Sequence, residues 1–176
     1  DGQRETLEGL DQELRKLDEN EQSLDQQEGE LDREMQSHFD GIGEAAFAAY
    51  ADRPDAIAGI ADLIAELQTN RTELEELENE LTNIEQEVEK RPFLEKMVSR
   101  GRIALLKNRK AAKESAQSRL YRALGARIAD SDSLSSSEDA ELQRAAKPYL
   151  ALKKKRDKID KDKSRIQEQR RKAQAS

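Results

Sequence analysis

The apolar positions from Leu7 onward step by threes and fours. Positions 7, 10, 14, 17, 21, 24, 28, 31, 35, 38 and 42 read Leu, Leu, Leu, Leu, Glu, Leu, Glu, Leu, Met, His and Ile, eight of eleven apolar. Such a narrow stripe predicts a helix of the coiled-coil kind rather than one with a broad globular face. Glu21 and Glu28 interrupt it. A carboxylate on a seam is costly unless a cation meets it, so the middle of this helix is predicted to face water or basic side chains.

Asp52, Arg53, Pro54 and Asp55 then supply a stop, with a proline suited to a first helical turn. Beyond it, positions 63, 67, 70, 74, 77, 81, 84 and 88 hold Leu, Leu, Asn, Leu, Leu, Leu, Ile and Val, the cleanest seam in the chain. Asn70 is its one polar member and reads either as a register-fixing residue or as an edge position. Lys90, Arg91 and Pro92 end this helix, because proline lacks the backbone donor and biases its predecessor away from helix. The same proline would only kink the chain if the second and third helices were fused, and a turn is the reading preferred.

A third helix is predicted from Phe93 to Ala129. The segment Asp130 to Ser137 is rich in turn and capping residues, with Ser135 and Glu138 or Ser136 and Asp139 as possible capping boxes. A fourth helix reaches about Ala173. Pro148 is expected to kink it and to free the Arg144 carbonyl, unless the residues before it form a separate turn.

The chain also resembles itself. Phe39, Ile42 and Gly43 match Tyr121, Leu124 and Gly125 at an offset of 82, and Ile64, Leu67, Arg71, Leu74 and Leu81 match Tyr149, Leu152, Arg156, Ile159 and Ile166 at an offset of 85. These matches predict two copies of one helix, turn, helix unit. The expected fold is all-α: an elongated antiparallel coiled-coil or four-helix arrangement built from two duplicated hairpins. Residues 1–90 form the first, with a turn near 51–55, and 91–176 the second, with a turn near 130–137. Phe39, Phe47, Tyr50, Tyr121 and Tyr149 fall near the two turns, where they read as plugs of the hairpin ends or as a binding surface. Gly43 and Gly125 would admit a close-packed backbone there.

Charge changes this picture more than composition does. Residues 1–90 hold 7 Lys and Arg against 27 Asp and Glu, while residues 91–176 hold 24 against 11, so a net charge of only −7 conceals halves of −20 and +13. Two acidic arms side by side would repel, and the basic half is the natural complement. Exposed ion pairs contribute only about 0–1 kcal/mol each, so charge selects the pairing while the apolar seams supply most of the stability.

Several function classes lose support. The longest apolar run, Ala45 to Tyr50, has six residues, far short of the roughly 20 needed to span a bilayer. Without cysteine there is no disulfide, thiolate metal site or thiol nucleophile. That leaves the compartment open, with the cytoplasm slightly favoured. The only histidine, His38, is preceded by Glu34 rather than by the Glu-x-x-His spacing of di-metal helical bundles, and reads as a packing or boundary residue. No phosphate loop, nucleophile elbow or His-based triad is present. Accordingly no catalytic, cofactor-binding or metal-ligating residues are assigned and no cofactor is expected.

Lys153, Lys154, Lys155 and Arg156, with Arg170, Arg171 and Lys172 beyond, are able to touch phosphates, although Asp157, Asp160 and Asp162 are interleaved. An anionic membrane surface is a weaker reading, because it needs a bulky apolar face as well. The serines at 131, 133, 135, 136 and 137 read first as a capped turn and second as phosphate acceptors. The chain begins with Asp, which fits a fragment or processed segment. The expected function is a noncatalytic coiled-coil scaffold or adaptor binding other proteins or a second copy of itself. The rival is a nucleic-acid-associated coiled-coil module that uses the basic half.

Overall fold

The computed structural model describes residues 2–175, with side chains described for 7–175. It is all-α, with no strand among the described residues. The helices are α1 (Gly2–Ser37), α2 (Phe39–Tyr50), α3 (Ala61–Val88), α4 (Phe93–Ala129), the single turn α5 (Ser133–Ser136) and α6 (Ala140–Ala175). His38 is the one residue between α1 and α2, half-buried, its backbone N–H donating to the Met35 carbonyl at 3.1 Å.

Contacts group the chain into two compact units, one holding the described residues up to His38 and from Lys147 onward, the other Phe39–Ala146. These units cut the chain differently from a division into 1–90 and 91–176. The reason is the pairing of helices. In the first unit α1 runs antiparallel to the later part of α6, with Glu21 meeting Arg170, Glu28 meeting Lys163 and Asp32 meeting Arg156. In the second, α3 turns back directly into α4, and Glu85 meets Lys107, Glu78 meets Lys110 and Glu73 meets Lys113. Each acidic helix thus lies against a basic one.

The seams behave as their spacing requires. Along α1, Leu17 is buried and positions 10, 14, 21, 24, 28, 31 and 35 are half-buried, with Leu7 at the start exposed; along α3, Leu67, Asn70, Leu81 and Val88 are buried. The two glutamates on the α1 seam face basic side chains rather than water. Lys90 and Arg91 donate backbone N–H groups to Glu87 and Val88 at 3.1 and 3.3 Å, and Pro92 (ψ 158°) prevents helix continuation. A tight hairpin results, not a fused helix.

The larger core lies in the second unit, where α2 crosses the end of α4. Ile42, Ile60, Ile64, Leu67, Leu124, Ile128 and Leu142 are fully buried there. The crossing is reciprocal. A methyl group on Gly43 would run into the Tyr121 backbone carbonyl, and one on Gly125 into the Phe39 carbonyl. Only glycine lets two helix backbones approach this closely. Between α2 and α3 the chain makes a 3-10 turn at Pro54–Ala56, and Gly59, at φ 82°, accepts a hydrogen bond from Arg127.

The entry to α6 differs from the capping boxes anticipated at Ser135 and Ser136. Asp139 accepts the Leu142 N–H at 2.8 Å, while Ser137 Oγ accepts the Asp139 N–H at 3.2 Å. Ser135 and Ser136 instead donate to the Asp132 carbonyl, closing α5. A carboxylate is the better cap at this site because it also meets the positive end of the helix dipole. Helical structure continues through Pro148, so the residues before it are not a separate turn.

Candidate interaction surfaces

The aromatic residues near the turns are packed inside. Phe47 and Tyr50 are 6% and 7% exposed, and Phe47 meets Tyr121 edge-on, with ring centroids 5.9 Å apart at 76°. Arg71 stacks over Phe47 at 5.1 Å, and Arg53 over Tyr50 at the same distance. Phe39 and Tyr121 are half-buried in the same crossing; Tyr149 lies in the other unit and is 4% exposed. These side chains fill the core and present little free surface.

Asn70 is 6% exposed, and its Oδ1 accepts no hydrogen bond. It lies on the α3 seam at the edge of a groove shared with Glu73, Lys113 and Arg119 of the α3–α4 pair. That placement on the seam, at the groove edge, carries the cost of an unsatisfied buried acceptor.

The basic run divides by face. Arg156 turns inward and donates to Asp32 at 2.8 Å, Glu28 at 2.6 Å and Asp160 at 2.8 Å, while Lys163 donates to Asp25 at 2.6 Å and Glu28 at 2.5 Å. These carboxylates, Asp25 foremost, hold the Lys163 ammonium well above its ordinary range, and Asp32 does the same for the Arg156 guanidinium. Arg170 is secured by Glu21 and Asp18. Lys153, Lys154 and Lys155 are exposed, without an ion pair among the described residues. Lys147, Lys154 and Lys161 follow one another at seven-residue spacing as an exposed cationic ridge of α6, while Lys158 borders the groove between α6 and α1. Arg171 and Lys172 are engaged by Glu168.

One surface has no counterpart in the sequence reading. Phe93, Leu94, Met97, Val98 and Leu105 are 52–76% exposed, five of the six large apolar residues so exposed among the described residues. At about 100° per residue they fall on the side of α4 away from α3, whereas Ser99 and Leu106, 4% and 3% exposed, face inward. α4 therefore carries two apolar stripes. The signal was available as the spacing Leu94, Val98, Gly101, Leu105, a second three-four series out of phase with the first. Only the fold reveals which series is covered.

Among the described residues, no group of three or more His, Cys, Asp or Glu side chains is arranged to hold a metal ion, and no helix is long and apolar enough to cross a membrane. The principal concavities are shallow grooves along the helix pairs, such as the one between Leu24 and Leu31 of α1 and Lys155 and Ile159 of α6. Comparison of the chain with protein-family models, with curated proteins and with solved structures finds no match.

Proposed function

We propose that this chain is a noncatalytic helical scaffold or adaptor that binds other proteins through exposed helix faces. The observation that carries this reading is the apolar stripe of α4, because large apolar side chains clustered on one exposed face mark interaction sites more often than scattered ones do. The pairing of acidic with basic helices supports it further, since the long seams are consumed internally and the remaining faces stay free for partners. The reciprocal contact of Gly43 and Gly125 supports a duplicated hairpin unit of coiled-coil type, in which equivalent segments of the two copies cross.

Light scattering combined with pull-down tests the scaffold. A defined oligomer or a stable stoichiometric complex is expected, and an inert monomer that retains no partner contradicts the reading. A hydrolytic or transfer activity lost on changing His38 would replace it with an enzyme.

The lysine ridge of α6 favours a second reading, a nucleic-acid-associated module. Its signature is duplex or single-strand binding that falls steeply with salt, as phosphate contacts release counterions. Absence of binding at low salt removes it.

A further inference from the structure

The side of α4 turned away from α3 is a helix-docking surface, and we propose that its occupant is an acidic amphipathic helix of a partner protein. The proposal rests on the scaffold reading and names the partner's chemistry. Phe93, Leu94, Met97 and Val98 form the apolar centre in the first two turns of α4, next to the hairpin tip, and Leu105 extends it along the helix. Arg100 borders one edge of that line, and Arg102 and Arg109 border the other, where Glu95 beside Leu94 and Val98 is the one acidic neighbour on α4. A helix laid along this line buries its own apolar residues against the five side chains, with its flanking positions beside the arginines.

Charge decides which helix. The inner face of α4 already pairs with a helix of this type: its cations Lys107, Lys110 and Lys113 meet Glu85, Glu78 and Glu73 of α3. The outer arginines can repeat that arrangement. Arg102 meets Glu80 of α3 and Arg100 lies 3.7 Å from Glu89 in the turn after α3, yet they remain 63% and 64% exposed. A guanidinium has five donors, so a second carboxylate can be accepted without giving up the first. Arg109 has no ion pair among the described residues.

The other occupants fit less well. Two copies meeting through this face would set arginine against arginine. An anionic lipid surface senses charge over roughly a Debye length, about 10 Å. Over that range the cations of α4 are nearly cancelled by α3: residues 61–88 carry −8 and residues 93–129 carry +8.

The test uses the full chain and a labelled three-heptad peptide with leucine at its seam positions and glutamate at its flanks. Its controls are the same peptide with lysine flanks, and vesicles of phosphatidylserine and phosphatidylcholine. The glutamate peptide is expected to bind and to weaken with salt; the lysine peptide, and the variant L94Q/V98Q with the glutamate peptide, are expected to bind about tenfold more weakly or worse. Because both changed residues are exposed, the variant's thermal melt should match the parent's. No binding, equal binding of the two peptides, vesicle binding lost in the variant, or self-association lost in the variant each overturns the proposal. A chain that forms a defined complex through another face yet ignores the peptide defeats the docking assignment alone and leaves the scaffold intact.

Discussion

The carboxylate of Asp40 lies 3.4 Å from Nε of Arg122, and the two residues hold matching places in Phe39-Asp40-x-Ile42-Gly43 and Tyr121-Arg122-x-Leu124-Gly125. Positions that match in sequence thus meet each other in space, with opposite charge. The neighbouring glycines do likewise, each receiving the backbone carbonyl of the other segment's aromatic residue. A comparable exchange of sign separates the helix pairs. Glu28 of α1 meets Lys163 of α6, and at the positions 82 and 85 residues away Lys110 of α4 meets Glu78 of α3. Like charges facing each other at such points would oppose association, and the exchanged signs fix which helix each one takes as partner.

The glycine crossing gives the sharpest stability prediction. Gly43→Ala and Gly125→Ala each force a carbon into a backbone carbonyl that cannot rotate away, and should destabilise by about 1–3 kcal/mol or more. Gly101 has open space around the added carbon, so Gly101→Ala should instead gain about 0.5–1 kcal/mol from helix propensity. Chemical denaturation of the three variants checks the ordering.

The charge pairing predicts a rescue. Glu28→Lys places a third cation beside Arg156 and Lys163 and should lower the melting temperature. Adding Lys163→Glu recreates the polarity found at Lys110 and Glu78 and should recover part of that loss, the remainder reflecting the new carboxylate against Asp25 and the new ammonium against Arg156. A double variant no better than the single one would show that these groups do not interact.

Asn70 is predicted to trade stability for specificity. Asn70→Leu removes a buried acceptor without a partner and should stabilise the α3–α4 pair by about 1–3 kcal/mol. A register role appears as additional oligomeric species in native mass spectrometry, and a single unchanged species removes that role.

Acid and base act at different places. Glu89 accepts a hydrogen bond from Lys96 at 2.8 Å, and this bond, aided by Arg100, draws its carboxyl below the ordinary 4.5. Its contribution is present above pH 4.5 and is lost as pH falls through the lower folded value, so acid should loosen the hairpin tip only in that lower range. Hydrogen exchange around residues 90–98 measures this, and Glu89→Gln should reduce the pH dependence, leaving what the Glu87–Arg91 pair contributes. Lys163 has the opposite sign. Its raised folded value means that its contribution holds fully below 10.5 and fades only in stronger alkali. A loss between pH 7 and 10 that Lys163→Arg prevents would contradict the assignment.

Much of this was legible in the residues because it depends on local periodicity. α4 begins at Phe93 and ends at Ala129, where proline and the serine-rich segment place its limits, and the seam positions of α1 from Leu10 to Met35 and of α3 are buried or half-buried, whereas Leu7 is exposed. The glutamates at 21 and 28 demanded cations, and Arg170, Arg156 and Lys163 supply them. The contact units were less accessible. Seam spacing does not say which helix lies opposite, and loop proximity favours neighbours such as α1 and α3, whereas charge couples helices far apart in sequence. The Asp139 cap was missed because several serines and acids in one segment compete for the same backbone donors. The outer stripe of α4 was hidden for another reason: burial is a property of the partner as much as of the residue, and a helix with apolar residues on two faces does not state which one is covered.

The central claim is that each acidic helix takes a basic one, and spin-label distances on the intact chain test it most directly because the sequence has no cysteine to remove. Labels at Gln22 and Gln169 flank the Glu21–Arg170 contact. They should give a short, narrow distance distribution consistent with helix axes roughly 10 Å apart. A long or broad distribution for that pair, together with a short one between Gln22 and Gln86, would mean that residues 1–90 close upon themselves and that charge does not choose the partners.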